Sequence, residues 1–180
     1  MPRRLHQRAI KKMAALPPEL SYETARAQGR GLDLNVELRR GSKGVGLFAK
    51  KFIAPRTIVA YYVTKIYGAS RRSRYEVEYS VGIPKHPSLV GDLCDASLSS
   101  PVRVNGRWVP LWAYFSNEPS PNESPNSKLF PAMTGRFAHS KAAVGERYRF
   151  KLVASKAIHP GEEIVWCYGD DYERSYASSC

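Results

Sequence analysis

After residue 31 the helical spacing of apolar residues gives way to short segments in which apolar and polar positions alternate, which is typical of half-buried β-strands. The clearest case is the segment in which Leu34, Val36 and Leu38 alternate with polar residues. Residues 57–66 are rich in β-branched and aromatic side chains, which also favours a strand. We predict strands at residues 34–38, 45–52, 57–66, 75–83, 89–93, 102–109, 148–158 and 163–168. The predicted class is mostly β, built from short strands and tight turns.

The first 30 residues follow a different pattern. Apolar residues recur loosely at helical spacing between residues 5 and 16, and Pro17-Pro18 ends that run. Ser21 and Thr24 are placed to begin a second short helix, which we expect to end near Gly29. We divide the chain into a helical or partly disordered N-terminal arm (1–30), a main domain (31–172) and a C-terminal tail (173–180).

Composition narrows the class of protein. The chain has 180 residues, of which 43% are apolar, enough for the core of one domain. No apolar run approaches the ~18 residues that a membrane span needs, and the first residues do not resemble a secretory signal. We therefore expect an intracellular protein with no membrane partner.

Cysteine and histidine usage gives no sign of a structural framework. The three cysteines are Cys94, Cys167 and Cys180, an odd number without a CxxC pair. This pattern argues against a disulfide framework and against a zinc cluster, so we expect three free thiols in a reducing compartment. The four histidines are scattered along the chain, and we predict no metal site.

Positive charge is concentrated near the N-terminus. The whole chain carries a net charge of +12, and residues 1–56 hold 13 Lys/Arg and 4 Asp/Glu, which leaves +9 in that part. Such an excess suits an anionic polymer such as DNA or RNA, and a solvated basic surface is the alternative. The arm shows no aromatic interleaving or base-reading motif, which argues against sequence-specific recognition.

Candidate chemistry begins with the last predicted strand. A Pro-Gly turn precedes it, Tyr168 and Gly169 end it, and Tyr172 follows four residues after Tyr168. Two phenol groups just past a strand end suit the lining of a narrow channel better than a core position.

Three segments in order resemble the SET domain of lysine methyltransferases. Residues 43–49 (KGVGLFA) are similar to the family's KGxGLFA turn. Residues 115–118 (FSNE), followed by Pro125-Asn126, are similar to its FINHSCxPN segment, and residues 161–169 (GEEIVWCYG) to GEELxxxYG. The resemblance covers about residues 32–172 and implies short β-sheets with a knot-like C-terminal crossing. The ending is similar to minimal SET proteins of large algal viruses and to the PR subtype, which lack the zinc-binding cysteines that follow many SET domains.

The resemblance implies S-adenosylmethionine as the cofactor. In the family, backbone groups of the glycine turn and the asparagine with its following residue hold this molecule, and the terminal tyrosine lies beside the transferred methyl. The matching cofactor-binding positions here are Gly44, Val45, Gly46, Asn117, Glu118 and Tyr168. Asn126 is expected to close the loop by satisfying backbone groups.

By the same resemblance, Tyr168 is the first catalytic candidate, and Tyr172 forms part of the wall of the lysine channel. Tyr79 is a candidate for the facing wall, and a half-buried strand tyrosine is the equal alternative. The chain departs from the family where Glu118 replaces the usual histidine and Cys167 replaces the usual Asp or Phe. These departures bear on loop geometry and substrate choice.

The predicted function is transfer of methyl groups to a protein lysine, with a histone tail as the substrate. The basic arm would bind nucleosomal DNA, and the expected location is the nucleus. Two alternatives stay open: a non-enzymatic chromatin or nucleic-acid binding module with this fold, and a methyltransferase for a non-histone protein.

Overall fold

The structure, a computed structural model, describes residues 21–68, 81–93, 101–132, 142–169, 174 and 176–180. The apolar pattern between residues 5 and 16 lies outside these residues, as does most of the strand predicted at 75–83. Strands predominate in the described part, so the prediction of a mostly β fold is confirmed. None of the helices found there is long and apolar enough to cross a membrane.

Helix α1 (Tyr22–Gln28) lies where the sequence predicts the second short helix. The side chain of Ser21 accepts a hydrogen bond at 3.3 Å from the backbone N–H three residues later, which caps the first turn. Gly29 follows the helix, and a Cβ there would lie 2.5 Å from the ring of Trp112. Ala25 is 2% exposed and belongs to the main core. Helix α1 is therefore packed against the domain.

Strands β1 (Val36–Gly41) and β2 (Gly44–Ala49) form an antiparallel hairpin. Its turn is closed by the pair Gly41 and Gly44. Gly44 has φ +92°, a conformation that side-chain-bearing residues rarely adopt, which explains the glycine at this position. Leu38 and Leu47 are paired across the hairpin, and both are buried.

The other strands are β3 (Ile58–Gly68), β4 (Val81–Gly82), β5 (Leu89–Leu93), β6 (Val102–Val104), β7 (Arg107–Val109), β8 (Ser127–Pro131) and β9 (Arg147–Ala154). In the described residues, five of them form an antiparallel sheet in the order β4-β5-β3-β9-β8, and β6 pairs with β7. Strand β8 was not predicted, because its first residues end a segment dense in Pro and Asn, a composition typical of loops.

A short 3₁₀ turn at Ala113–Phe115 leads the chain from β7 into the predicted functional segment. Its three residues are buried, and Trp112 before it is 3% exposed. Burial of these large side chains fixes the turn on the core. Residues 116–118 therefore begin from a rigid base.

Residues 163–166 pass between β2 on one side and residues 116–127 on the other, and we call this arrangement the crossing. The backbone N–H of Ile164 donates to the carbonyl of Leu47 in β2 at 2.7 Å. On the opposite side, the N–H of Trp166 donates to the carbonyl of Asn117 at 3.1 Å. Ile164 and Val165 are fully buried. The predicted knot-like crossing is confirmed.

The prediction of a final strand at residues 163–168 is wrong. Its ladder pairing is limited, within the described residues, to an isolated bridge between Glu163 and Phe48. From Val165 onward the backbone N–H groups bond to a side chain and a loop carbonyl instead: that of Val165 donates to the side-chain oxygen of Asn126 at 2.9 Å, and that of Trp166 to the carbonyl of Asn117. A segment enclosed by loops on one side has no second strand to pair with.

The prediction of three free thiols is also wrong. Cys167 and Cys180 form a disulfide across 13 residues of sequence. The odd number of cysteines and the lack of a CxxC pair were misleading, because a single disulfide needs only two cysteines brought together by the fold. Cys94 lies outside the described residues.

Candidate active site

The glycine turn places a strand edge beside the crossing. A Cβ at Gly46 would lie 2.5 Å from the Glu163 carboxylate oxygen Oε1 and 3.1 Å from the Asn117 side-chain nitrogen. The missing side chain therefore lets two protein groups approach β2 closely. At Gly44, by contrast, no atom of the described residues lies within 4 Å of the corresponding position.

Asn117 connects the turn to the crossing. Its Nδ2 donates to the backbone carbonyl of Val45 at 3.3 Å and to Oε1 of Glu163 at 2.8 Å. Its own carbonyl accepts from the N–H of Trp166 at 3.1 Å. The predicted cofactor-binding asparagine is thus held against both of the other motif segments.

Lys43 lies at the centre of an ion cluster beside Asn117. Its ammonium nitrogen is 2.8 Å from Oε2 of Glu163 and 3.0 Å from Oε2 of Glu123, and it donates to the backbone carbonyl of Glu118 at 3.1 Å. Burial alone would lower the pKa of Lys43, but the hydrogen bonds to the two carboxylates outweigh burial, and the pKa is raised. Lys43 stays charged at neutral pH and ties the turn to the loop and the crossing.

Asn126 closes the loop as predicted. Its Nδ2 donates to the carbonyl of Glu163 at 2.7 Å, and its Oδ1 accepts from the N–H of Val165 at 2.9 Å. The neighbouring Ser127 hydroxyl donates to the carbonyl of Val165 at 2.9 Å. Buried backbone groups that leave a regular sheet need such partners, and here side chains supply them.

Tyr168 emerges from the crossing in a fixed orientation. Its hydroxyl donates to the backbone carbonyl of Ser116 at 2.9 Å. Its ring packs against Trp166 with centroids 5.0 Å apart. Both ends of the Tyr168 side chain are therefore set by the crossing.

The Glu118 side chain is fully buried and acts as a shared acceptor. Oε1 accepts from the backbone N–H of Tyr168 at 2.7 Å, and Arg174 donates to both carboxylate oxygens. Burial alone would raise the pKa of Glu118, but hydrogen bonds from Arg174, the Tyr168 N–H and Tyr176 outweigh it, and the pKa is lowered. The carboxylate stays ionised and bonded to protein groups.

The structure brings most of the predicted site residues together. Lys43 and Asn117 connect the glycine turn, which contains Gly44, Val45 and Gly46, to the other two motif segments. The Glu118 carboxylate accepts a hydrogen bond from the backbone N–H of Tyr168. Tyr172 and Tyr79 lie outside the described residues, so their roles in the channel stay predictions. No group of His, Cys, Asp and Glu side chains in the described ranges is arranged to hold a metal.

Sequence reasoning missed several members of the site. Lys43 was quoted as part of a motif but given no role, although a lysine beside a glycine turn with glutamates in both other motifs is a signal for a bridging cation. Glu163 was noted only as part of the GEEIVWCYG segment, and it pairs with Lys43 and Asn117. Arg174 had no signal, because its partner Glu118 is 56 residues away.

A comparison with protein-family models decides the family. The model of the SET domain matches residues 44–169, from the glycine turn to the residue after Tyr168. The chain belongs to the SET domain family. SET domains are the catalytic domains of protein-lysine methyltransferases, so the predicted enzyme class is confirmed. No curated protein sequence matches this SET domain.

Solved structures similar to this SET domain include three with related descriptions. A Plasmodium falciparum protein assigned as a histone methyltransferase is 15% identical with a TM-score of 0.49, and the match covers 78% of this chain and 98% of that one. The methyltransferase domain of human PR domain-containing protein 2 is 21% identical, with a TM-score of 0.47 and coverage of 92% and 97%. KRYPTONITE, solved with mCHG DNA and SAH, is 21% identical, with a TM-score of 0.49 and coverage of 80% and 25%.

Proposed function

We propose that this SET domain transfers a methyl group from S-adenosylmethionine to the side-chain amine of a lysine in a histone tail. The observation that carries the proposal is the joining of the three motif segments around Asn117 and Glu118, with Tyr168 held to Ser116 beside them. Residues from three distant parts of the chain are fixed in one place, as a site for two reactants requires.

The residues at the crossing suit this cofactor in chemical kind. Oδ1 of Asn117 receives no hydrogen bond from any described residue and is an acceptor for an ammonium group. No atom of the described residues occupies the space beside Gly44, which allows a ligand to approach the backbone of the turn. The rings of Trp166 and Tyr168 offer aromatic faces, which attract a positively charged group such as a sulfonium. When bound, S-adenosylmethionine supplies the methyl group.

The side chains of Glu118 and Glu163 are not available to bind the cofactor. The carboxylate oxygens of both are already bonded to protein donors. A contribution of Glu118 to cofactor binding would therefore come from its backbone. The predicted cofactor-binding set is otherwise Gly44, Val45, Gly46, Asn117 and Tyr168.

The residues of the chain must also favour the neutral form of the substrate amine. An ordinary lysine has a pKa near 10.4, so its neutral form costs about 4.6 kcal/mol at pH 7. An aromatic wall that includes Tyr168 and Trp166 lowers that pKa by excluding water from the amine. The hydrogen bond from Tyr168 to Ser116 fixes the ring, so this wall does not have to be ordered when substrate binds.

A histone substrate and a nuclear location form the finer part of the proposal, supported by the charge of the chain. Residues 1–56 carry a net +9, which would repel a basic histone tail but attract the DNA around it. The preferred substrate would then be the nucleosome, in which tail and DNA occur together.

The test is a radiolabelled methyl-transfer assay with free histones, nucleosomes and a ribosomal protein mixture, together with calorimetric titration of S-adenosylmethionine. We expect binding of the cofactor and label on histone lysines. Binding without label on any histone would overturn the histone substrate, and absence of binding would overturn the cofactor. Label confined to the ribosomal proteins would favour the non-histone alternative.

A further inference from the structure

The last residues of the chain fold back onto the segment that follows Asn117. Arg174 donates from Nε and Nη2 to the two oxygens of Glu118 at 2.7 and 2.6 Å. Tyr176 donates its hydroxyl to the same carboxylate at 3.0 Å, and Ser178 donates to the carbonyl of Pro119 at 2.9 Å. The tail is thus fastened at several points to one short loop.

The Cys167–Cys180 disulfide closes this arrangement covalently. Cys167 directly precedes Tyr168, and Cys180 lies two residues beyond Ser178. We call Glu118, Arg174, Tyr176 and the disulfide the clasp. The clasp holds the tail at two places: at Glu118, in the loop that follows Asn117, and at Cys167, next to Tyr168.

Glu118 is the part of the clasp that reaches the active site. Its carboxylate accepts from the backbone N–H of Tyr168 at 2.7 Å while it also accepts from Arg174. A fully buried carboxylate is stable only when its charge is compensated and its lone pairs are satisfied. If the tail leaves, Glu118 loses Arg174 and Tyr176 together, and its hold on Tyr168 has to rearrange.

We propose, on the basis of the proposed function, that Glu118 is a positioning residue for Tyr168 and that the Cys167–Cys180 disulfide makes this positioning sensitive to redox conditions. A dithiol reductant would break the sulfur–sulfur bond by supplying two electrons and two protons. Cys167 and Cys180 become thiols, and the dithiol becomes a disulfide. The reduced tail is held by polar contacts alone and opens more often.

Both cysteines are within reach of a small reductant. Cys180 is exposed, and Cys167 is partly exposed. Disulfides persist in oxidising compartments and are reduced in the cytosol and nucleus. In the nucleus, the proposed location, the disulfide would be mostly reduced, so the clasp would raise activity only when conditions there become oxidising.

The first test compares the oxidised wild-type protein with the same protein reduced by dithiothreitol. We expect reduction to lower kcat for methyl transfer by about tenfold and to leave KM for S-adenosylmethionine nearly unchanged, because misplacing a reacting group affects the chemical step more than binding. Cys180→Ser should show the low kcat under both conditions. Cys94→Ser, which removes a cysteine that has no place in the clasp, should respond to reduction as the wild type does.

A second readout does not depend on turnover. Hydrogen exchange of the Tyr168 backbone amide should become faster on reduction in the wild type and should be fast already in Cys180→Ser. If no substrate is methylated at all, the proposed function fails, and this exchange experiment still decides the clasp. Equal exchange and equal kcat in the oxidised and reduced wild type would overturn the proposal without any variant.

Variants of the ion pair separate positioning from general stability. Arg174→Met should lower kcat and speed hydrogen exchange at Tyr168. Arg174→Lys should restore part of the kcat and part of the exchange protection, since a lysine keeps the charge but cannot bond to both oxygens of Glu118 as the guanidinium does. Loss of folding without recovery in Arg174→Lys, combined with wild-type insensitivity to reduction, would show a structural role only.

Discussion

The Tyr168 hydroxyl donates a hydrogen bond to the backbone carbonyl of Ser116 at 2.9 Å, across 52 residues of sequence. Ser116 directly precedes Asn117, which bonds to the glycine turn and to Glu163. The position of the phenol is therefore set by the same short segment that is proposed to hold the cofactor. The two reactants would be aligned by one rigid piece of chain.

Removing this hydroxyl should affect turnover more than binding. Tyr168→Phe keeps the ring against Trp166 but loses the bond to Ser116, so we expect methyl transfer to fall by ~10²-fold or more. Titration with S-adenosylmethionine should give nearly the wild-type Kd. Tyr22→Phe is the matched control, because the ring beneath Arg26 and Arg40 is kept. Wild-type turnover in Tyr168→Phe would remove Tyr168 from the site.

A methyl group at Gly46 should disrupt the junction of the motifs. Gly46→Ala places a Cβ 2.5 Å from Oε1 of Glu163 and 3.1 Å from Nδ2 of Asn117, so these side chains must move. We expect a loss of about 1–3 kcal/mol in the free energy of unfolding, as for other overpacked sites, and weaker cofactor binding. Gly82→Ala is the control, since no described atom lies within 4 Å of its added Cβ. Chemical denaturation measures the free energy of unfolding of both variants. Equal stability of the two would contradict the close approach at Gly46.

The loop asparagines provide a matched pair of substitutions. Asn126→Asp keeps an acceptor for the N–H of Val165 but replaces the donor to the carbonyl of Glu163 with a negatively charged oxygen. We expect a cost of about 2–3 kcal/mol in the free energy of unfolding. Asn122→Asp, on the exposed part of the same loop, should change it by less than about 0.5 kcal/mol. Thermal unfolding of both variants is the measurement, and similar Tm values would show that Asn126 does not close the crossing.

Acid should weaken the protein through its lowered carboxyl groups. Burial alone would raise the pKa values of Glu118 and Glu123, but hydrogen bonds outweigh burial and both pKa values are lowered. For Glu118 these bonds include those from Arg174, and for Glu123 they include the one from the Ser120 N–H. Their stabilisation is complete above the unfolded glutamate pKa of about 4.3 and is lost as pH falls through the lower folded values.

The measurement is urea unfolding between about pH 2 and pH 7. The wild type should lose free energy of unfolding steeply below about pH 4.3, and Glu118→Gln should show a shallower dependence because one of the titrating groups is gone. Glu146→Gln, at an exposed position, serves as the control. Identical slopes for wild type and Glu118→Gln would contradict the lowered pKa of Glu118.

The basic N-terminal residues should favour nucleosomes over free histone. Ala25 in helix α1 belongs to the core, so a deletion that leaves the fold intact should stop at residue 20. Removal of residues 1–20 should reduce activity on nucleosomes and its salt dependence while leaving activity on a histone peptide unchanged. Replacing the arginines and lysines of this segment by glutamine is the control for charge, and unchanged nucleosome activity in both proteins would exclude a role in DNA binding.

Local features of the fold were predictable because neighbouring residues determine them. The cap at Ser21, the glycine turn at Gly44 and the strand at residues 57–66 each depend on side chains within a few positions. The role of Asn126 was also foreseen, but only through the resemblance to a family. A lone asparagine in a loop rich in proline gives no sign of which backbone it will bond.

Other features depend on distant partners and were missed. The bonds from Lys43 to Glu118, Glu123 and Glu163 join positions at least 75 residues apart in sequence. Residues 163–168 form a short apolar run typical of a strand, yet the crossing places them between β2 and a loop segment, with one isolated bridge in the described residues. An apolar run indicates which side chains are buried, and it does not indicate what the backbone bonds to.

The crossing also determines the order in which the protein can assemble. Residues 163–166 bond to Leu47 on one side and to Asn117 and Asn126 on the other, so none of these contacts exists until residues 163–166 have been synthesised. The sheet of β3 and β9 can form earlier, but the proposed active site cannot. A nascent or truncated chain would hold a partly built scaffold that has no means of catalysis.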